Sequence, residues 1–150
     1  MLDRYSKADR VCAGGAALVA IATYLPWFHS TSGGFAVTVN GFRSGVAGDI
    51  VFLTAAAMVL LLMTRHGIVR TGLAADLPEG KLFLGTGGVA VLATIVQIMV
   101  GNGGGHMPAK GLILGCLGIA AMAVGGWMQY QDDAGPSRAI RKHMSPGMLR

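Results

Sequence analysis

Charge is scarce in this chain: 13% of its 150 residues are Asp, Glu, Lys or Arg, against 53% hydrophobic. A soluble domain carries roughly a quarter of charged residues, so water is the wrong solvent for this composition. Catalytic signatures are missing as well. There is no GxSxG elbow, P-loop, HExxH motif or pair of acids, and the Gly-rich stretches lack the strand-turn-helix setting that holds a phosphate. The expectation is a protein that is not an enzyme and takes no cofactor. Cysteine is nearly absent too, with Cys12 and Cys116 and no CxxC pair. The topology argued below puts the two toward opposite membrane surfaces, beyond the ~7 Å Cα separation a disulfide tolerates, so both read as small apolar residues.

What the chain has in abundance is long uncharged runs. Between Lys110 and Asp132 lie twenty-one residues without a charge. That is about the length a helix needs to cross ~30 Å of hydrocarbon at ~1.5 Å per residue. One face of this run carries Gly111, Gly115, Gly118, Ala121 and Gly125, where another helix backbone can approach closely, either within the chain or in a dimer. Three earlier stretches read the same way. The spans are predicted at about 11–28, 46–64, 82–100 and 111–131, giving an all-α, four-helix transmembrane bundle over residues 1–132. Span one is longer than the ~7–15-residue apolar core of a signal peptide and lacks a clear Ala-x-Ala site, so it is expected to stay as a span. Tyr24 and Trp27 at the end of span one, and Trp127 and Tyr130 at the end of span four, are expected as interface anchors.

The connections differ in character. Phe35, Val37 and Val39 alternate with Ala36 and Thr38 before Asn40-Gly41, which predicts a short outer hairpin turning at Asn40-Gly41 with Phe42-Arg43 as its return. Val69, Leu73 and Leu77 recur every four residues and are expected to rest on the membrane surface. Residues Gly101 to Lys110 read as a flexible connection, and residues 133–150 as a basic, disordered tail. The segments before span one, between spans two and three and after span four hold ten of the twelve basic residues; only Arg43 and Lys110 lie in the other two connections. This bias predicts a multi-pass protein of the cell inner (plasma) membrane with both termini cytoplasmic. The net charge of +5 is split among these short segments, so anionic membrane lipids, and not nucleic acid, are the expected charged partner.

Polar residues within the spans are the candidates for chemistry. Asp49 reads as the only acid in a span, either coupling a cation or sitting in the first turn of span two, where a carboxylate favours the helix N-terminus and can pair with Arg43. Thr86, Thr94 and Gln97 lie on one small or polar face of span three; Thr94 and Gln97 are expected to point into the bundle, because an unpaired amide in hydrocarbon costs several kcal/mol. His29, His106 and Asp49 are expected near the outer surface, but no HxxxH-type spacing supports a metal site.

With Leu25-Pro26-Trp27-Phe28 followed by a polar loop holding Asn40-Gly41-Phe42, the first third of the chain resembles small four-span membrane proteins common in high-GC Gram-positive bacteria and their phages. The resemblance implies architecture and assigns no functional residue. The layout of short spans and a basic tail is also similar to phage holins. Small multidrug transporters have four short helices too, but they depend on a glutamate in their first span, and residues 11–28 contain no acid. The resulting expectation is a non-enzymatic membrane protein acting by helix association, as an accessory or assembly subunit of a membrane complex or as a homo-oligomer. The alternatives are a holin-like or channel-like pore lined by Thr86, Thr94 and Gln97, and a small transporter coupled through Asp49.

Overall fold

Ser6 opens the first helix, α1 (Lys7–Tyr24), through a reciprocal cap. Its hydroxyl accepts from the Asp9 N–H at 3.1 Å while Asp9 Oδ2 accepts from the Ser6 N–H at 2.9 Å, so two otherwise orphaned donors are satisfied. In the computed structural model, which describes residues 6–32, 35–69, 79–103 and 107–134, this start lies four residues before the expected one. The helix also stops earlier, at Tyr24 and not Phe28. Leu25 is extended (φ −83°, ψ 160°), as the ring of Pro26 requires of the residue before it.

The segment after α1 corrects the expected hairpin. Strand β1 (Pro26–Ser32) pairs antiparallel with β2 (Phe35–Asn40), the two being joined through residues 33–34, which lie outside the described residues. Asn40-Gly41 is not the turn. The Asn40 side chain accepts from the Arg43 N–H at 3.1 Å and caps a single 3₁₀ turn, Gly41–Arg43, that leads into the next helix. A third strand, β3 (Met107–Pro108), pairs with the other edge of β1 and gives a sheet of order β2-β1-β3. The third connection was expected to be wholly flexible; instead it supplies this strand, and the preceding helix runs on to Gly103.

Helix α2 (Val46–Arg65) is entered through Gly45 at φ 114°, a backbone conformation open to glycine. It is closed by Gly67 at φ 70°, with the Ile68 N–H reaching back to the Met63 carbonyl at 2.9 Å. Helices α3 (Glu79–Gly103) and α4 (Lys110–Ala134) each extend a few residues past the expected spans. The tail was expected from residue 133, yet α4 continues through Ala134, and Asp133 Oδ2 accepts from the Gly80 N–H at 2.7 Å, a carboxylate on a helix N-terminus. The predicted surface repeat at Leu73 and Leu77 and the rest of the tail lie outside the described residues.

The four helices form a ring in which each packs on its two neighbours in sequence, with α1 returning to α4. The α1/α4 seam is the tightest and α1/α2 the loosest. The interior holds Cys12, Val19, Val51, Met58, Phe83 and Met122. Among the described residues, three helices are long and apolar enough to cross a membrane: Val46–Arg65, Glu79–Gly101 and Lys110–Asp133, with mean hydropathy 2.3, 2.0 and 1.9. Helix α1 differs from them in carrying Lys7, Asp9 and Arg10 in its first turns.

Close approach at the α1/α4 seam explains the glycine face of α4. A Cβ at Gly118 would stand 2.8 Å from the Gly15 carbonyl oxygen, and one at Gly15 would stand 2.6 Å from the Gly118 oxygen. The backbones therefore touch where neither residue has a side chain. Gly111 lies against Pro26 and Leu25, and Gly125 against Cys12 and Ala8, while Gly115 is looser, with Ala22 Cβ at 3.6 Å. Ala121 on the same run is half-buried. Of the two uses this face could have, the fold takes the internal one: it is covered by α1 of the same chain.

Candidate functional site

At the end of the bundle where α1 and α3 begin and α2 and α4 finish, side chains from all four helices meet around one buried carboxylate. Asp9, in the first turn of α1, is 3% exposed. Its Oδ1 accepts from Gln129 Nε2 of α4 at 2.8 Å and stands 3.8 Å from Arg65 Nε of α2. Its Oδ2 accepts the capping N–H of Ser6 and stands 3.5 Å from His66 Nε2. Gln129 is fully buried and uses both ends of its amide, because Arg65 Nη1 donates to its Oε1 at 2.7 Å. The Arg65 guanidinium in turn lies 6.0 Å from the ring centroid of Phe83 on α3. A buried carboxylate is costly unless countercharged and hydrogen-bonded, and Asp9 has both.

This cluster lies at one end of a groove between α1 and α2. The groove encloses about 510 Å³ and is walled by small residues, among them Ala13, Ala17 and Ala20 of α1 and Ala56 of α2, with Asp9 and His66 at one extremity. At the other extremity Phe52 contributes to the wall. It stacks edge-on with Phe42 (centroids 4.9 Å apart), which meets Tyr24 in the same way at 5.2 Å. These three rings bridge α1, the 3₁₀ turn and α2 beside that end of the groove.

The polar residues picked out in the sequence sit elsewhere. Asp49 is in the first turn of α2 and exposed, with no ion pair to Arg43 among the described residues. Asp49 is the only acid within the expected spans, but α1 starts at Lys7 and so brings a second, buried acid, Asp9, into a helix. Thr94 and Gln97 are buried inside the bundle. The Thr94 hydroxyl donates to its own helix at the Ala90 carbonyl (2.8 Å), and Gln97 Nε2 donates to the Ser44 carbonyl (2.8 Å), tying α3 to the entry of α2. Thr86 is half-buried and bonds Leu82 O at 2.9 Å.

Of the expected anchors, Tyr24 and Trp127 are exposed and Tyr130 is half-buried, with the Trp127 and Tyr130 rings 6.0 Å apart. Trp27 is a correction. It is fully buried, and its Nε1 donates at 2.7 Å to the Ala22 carbonyl, which also accepts the capping N–H of Leu25 at the end of α1. The ring thus serves as a plug beneath the sheet, close to Gly41 and Gly111.

Sequence reasoning missed Asp9, Arg65 and Gln129 as a group. One signal was available: Ser6-x-x-Asp9 is a capping pattern that starts the helix before Val11 and brings an acid into it. Comparison of the chain with protein-family models, curated proteins and solved structures returns no match.

Proposed function

We propose that this chain is a four-span protein of the cell inner membrane with both termini cytoplasmic, and that it acts without catalysis, by associating through its helices with other membrane subunits or with copies of itself. The observation that carries the reading is a pair of open-faced glycines. Gly85 and Gly88 on α3 have nothing within 4 Å of the position a Cβ would occupy. They lie among the exposed apolar residues Val89 and Leu92. A shallow groove beside them, between α2 and α3, is lined by Leu53, Ala57, Gly85 and Val89. Small residues turned outward among large apolar ones allow a second helix to approach closely where lipid offers no hydrophobic driving force. The association surface thus moves from α4, whose glycines are occupied internally, to the α2/α3 face.

The basic residues support the orientation, and the Asp9 cluster then lies at the cytoplasmic boundary, where charged groups retain partial access to water. The test is substitution. At both positions the Cβ of a leucine would meet no neighbour within the protomer, so in Gly85→Leu with Gly88→Leu the monomer is expected to remain folded while the complex recovered from native membrane in mild detergent is lost. A complex of unchanged size and composition overturns this reading.

A further inference from the structure

We infer that a pocket between the sheet and the end of α3 binds a small organic acid carrying a neutral hydroxyl, with the carboxylate on Arg43 and the hydroxyl on Gln97. The pocket lies at the end of the bundle opposite Asp9, where Phe28 of β1 and Val39 of β2 line it together with Gln97 and Val100 of α3. It encloses about 170 Å³, close to the ~150 Å³ of a cavity that admits benzene, so it has room for one ligand of that size.

Two polar groups at this pocket have unused hydrogen-bonding capacity. Gln97 is 3% exposed, and its Nε2 is taken by the Ser44 carbonyl at 2.8 Å. Its Oε1, which accepts no hydrogen bond among the described residues, is reached from the pocket. A buried amide oxygen without a donor is unfavourable, and a ligand that donates to it removes that cost. The Arg43 guanidinium on the rim is exposed and has neither an ion pair nor a hydrogen bond among the described residues. The turn that presents it is braced: the Asn40 side chain holds the Arg43 N–H at 3.1 Å, and the Ser44 hydroxyl donates to the Gly41 carbonyl at 2.5 Å. A ligand therefore meets a preformed backbone and needs little ordering of it.

This arrangement sorts ligands by charge. A guanidinium matches a carboxylate or phosphate. Among the described residues no Asp or Glu lines the pocket, so an ammonium beside Gln97 would be desolvated against Phe28 and Val39 with no countercharge. That disfavours amino acids and ethanolamine headgroups. A hydroxyl donates to the Gln97 oxygen without bringing a charge. An inorganic anion would meet Arg43 and leave both the amide oxygen and the apolar wall uncovered. The ligand class is thus an anion at one end, an apolar body and a hydroxyl at the other, for which 4-hydroxybenzoate is the probe. Binding there requires neither the helix association proposed above nor a particular orientation in the membrane.

The experiment is isothermal titration calorimetry of the full chain in mild detergent at neutral pH, against a protein-free blank, with 4-hydroxybenzoate, benzoate and phenol. Wild type is expected to bind one 4-hydroxybenzoate, and benzoate about tenfold more weakly, the equivalent of ~1.4 kcal/mol for the missing hydrogen bond. Arg43→Gln changes an exposed side chain, so the fold is expected to persist while 4-hydroxybenzoate weakens about fivefold and phenol is unchanged. Gln97→Met should bind benzoate and 4-hydroxybenzoate alike. The comparison of ligands on wild type tests the Gln97 contact even where that variant fails to fold. The inference is overturned if wild type shows no saturable binding or no preference for 4-hydroxybenzoate over benzoate. Arg43→Gln binding as tightly as wild type, or full displacement by equimolar inorganic phosphate, overturns it too.

Discussion

Asp9 shows what a single buried acid demands of its neighbours. Its carboxylate is served by a backbone N–H, an amide and a guanidinium from three different parts of the chain, and removal of Asp9 takes the carboxylate acceptor from all three. Asp9→Ala and Gln129→Leu are each expected to destabilise the protein by about 2–3 kcal/mol, the range for hydrogen bonds to charged groups. The double variant should cost much less than the sum, because the two side chains belong to one network. Denaturant titration of the detergent-solubilised protein measures both, and strict additivity would deny the network. Little of this was legible beforehand. The capping pattern at Ser6 and Asp9 announces the helix start, but Gln129 sits 120 residues away and nothing in its local sequence marks it as a partner. Trp27 was misread for a related reason: an aromatic beside Pro26 at the end of an apolar run resembles an interface anchor until the sheet folds over it.

Among the elements, α4 and α3 use glycine in opposite ways. At Gly118 a methyl group would press on the Gly15 carbonyl oxygen 2.8 Å away, whereas at Gly88 it would meet nothing. Gly118→Ala is therefore expected to destabilise the monomer by about 1–3 kcal/mol through overpacking. Gly88→Ala should be neutral or stabilising by up to about 1 kcal/mol, from lower backbone entropy in the unfolded helix. Thermal unfolding of the two variants in the same detergent decides it; equal losses would remove the distinction between inner and outer glycines. The repeat itself was plain in the sequence, since small residues every three or four positions mark a close-approach face. Which helix fills that face was not, because a period carries no address. The hairpin failed similarly: Phe35 to Val39 alternate as a strand should, but the partner lies upstream at Pro26–Ser32, a stretch too polar to announce itself.

For the whole molecule the ring of helices and the distribution of basic residues together predict a definite sidedness. Introduced singly, Arg43→Cys and Lys110→Cys should react with an impermeant maleimide added to intact cells, while Ser137→Cys should react only after permeabilisation. Labelling of all three from outside would reverse or dissolve the proposed topology. Four apolar runs were legible in the sequence, and among the described residues three helices are long and apolar enough to cross a membrane. The start of the first helix was not legible in that way, since its opening turn carries charge that the fold meets with α2 and α4.

That dependence bears on how the protein is made. Helix α1 is synthesised well before its main partner α4, and the seam cut by Gly15 has no occupant until Gly118 arrives. Closure over so long a separation is a slow kind of step. A chain stopped before Lys110 would keep that seam unfilled.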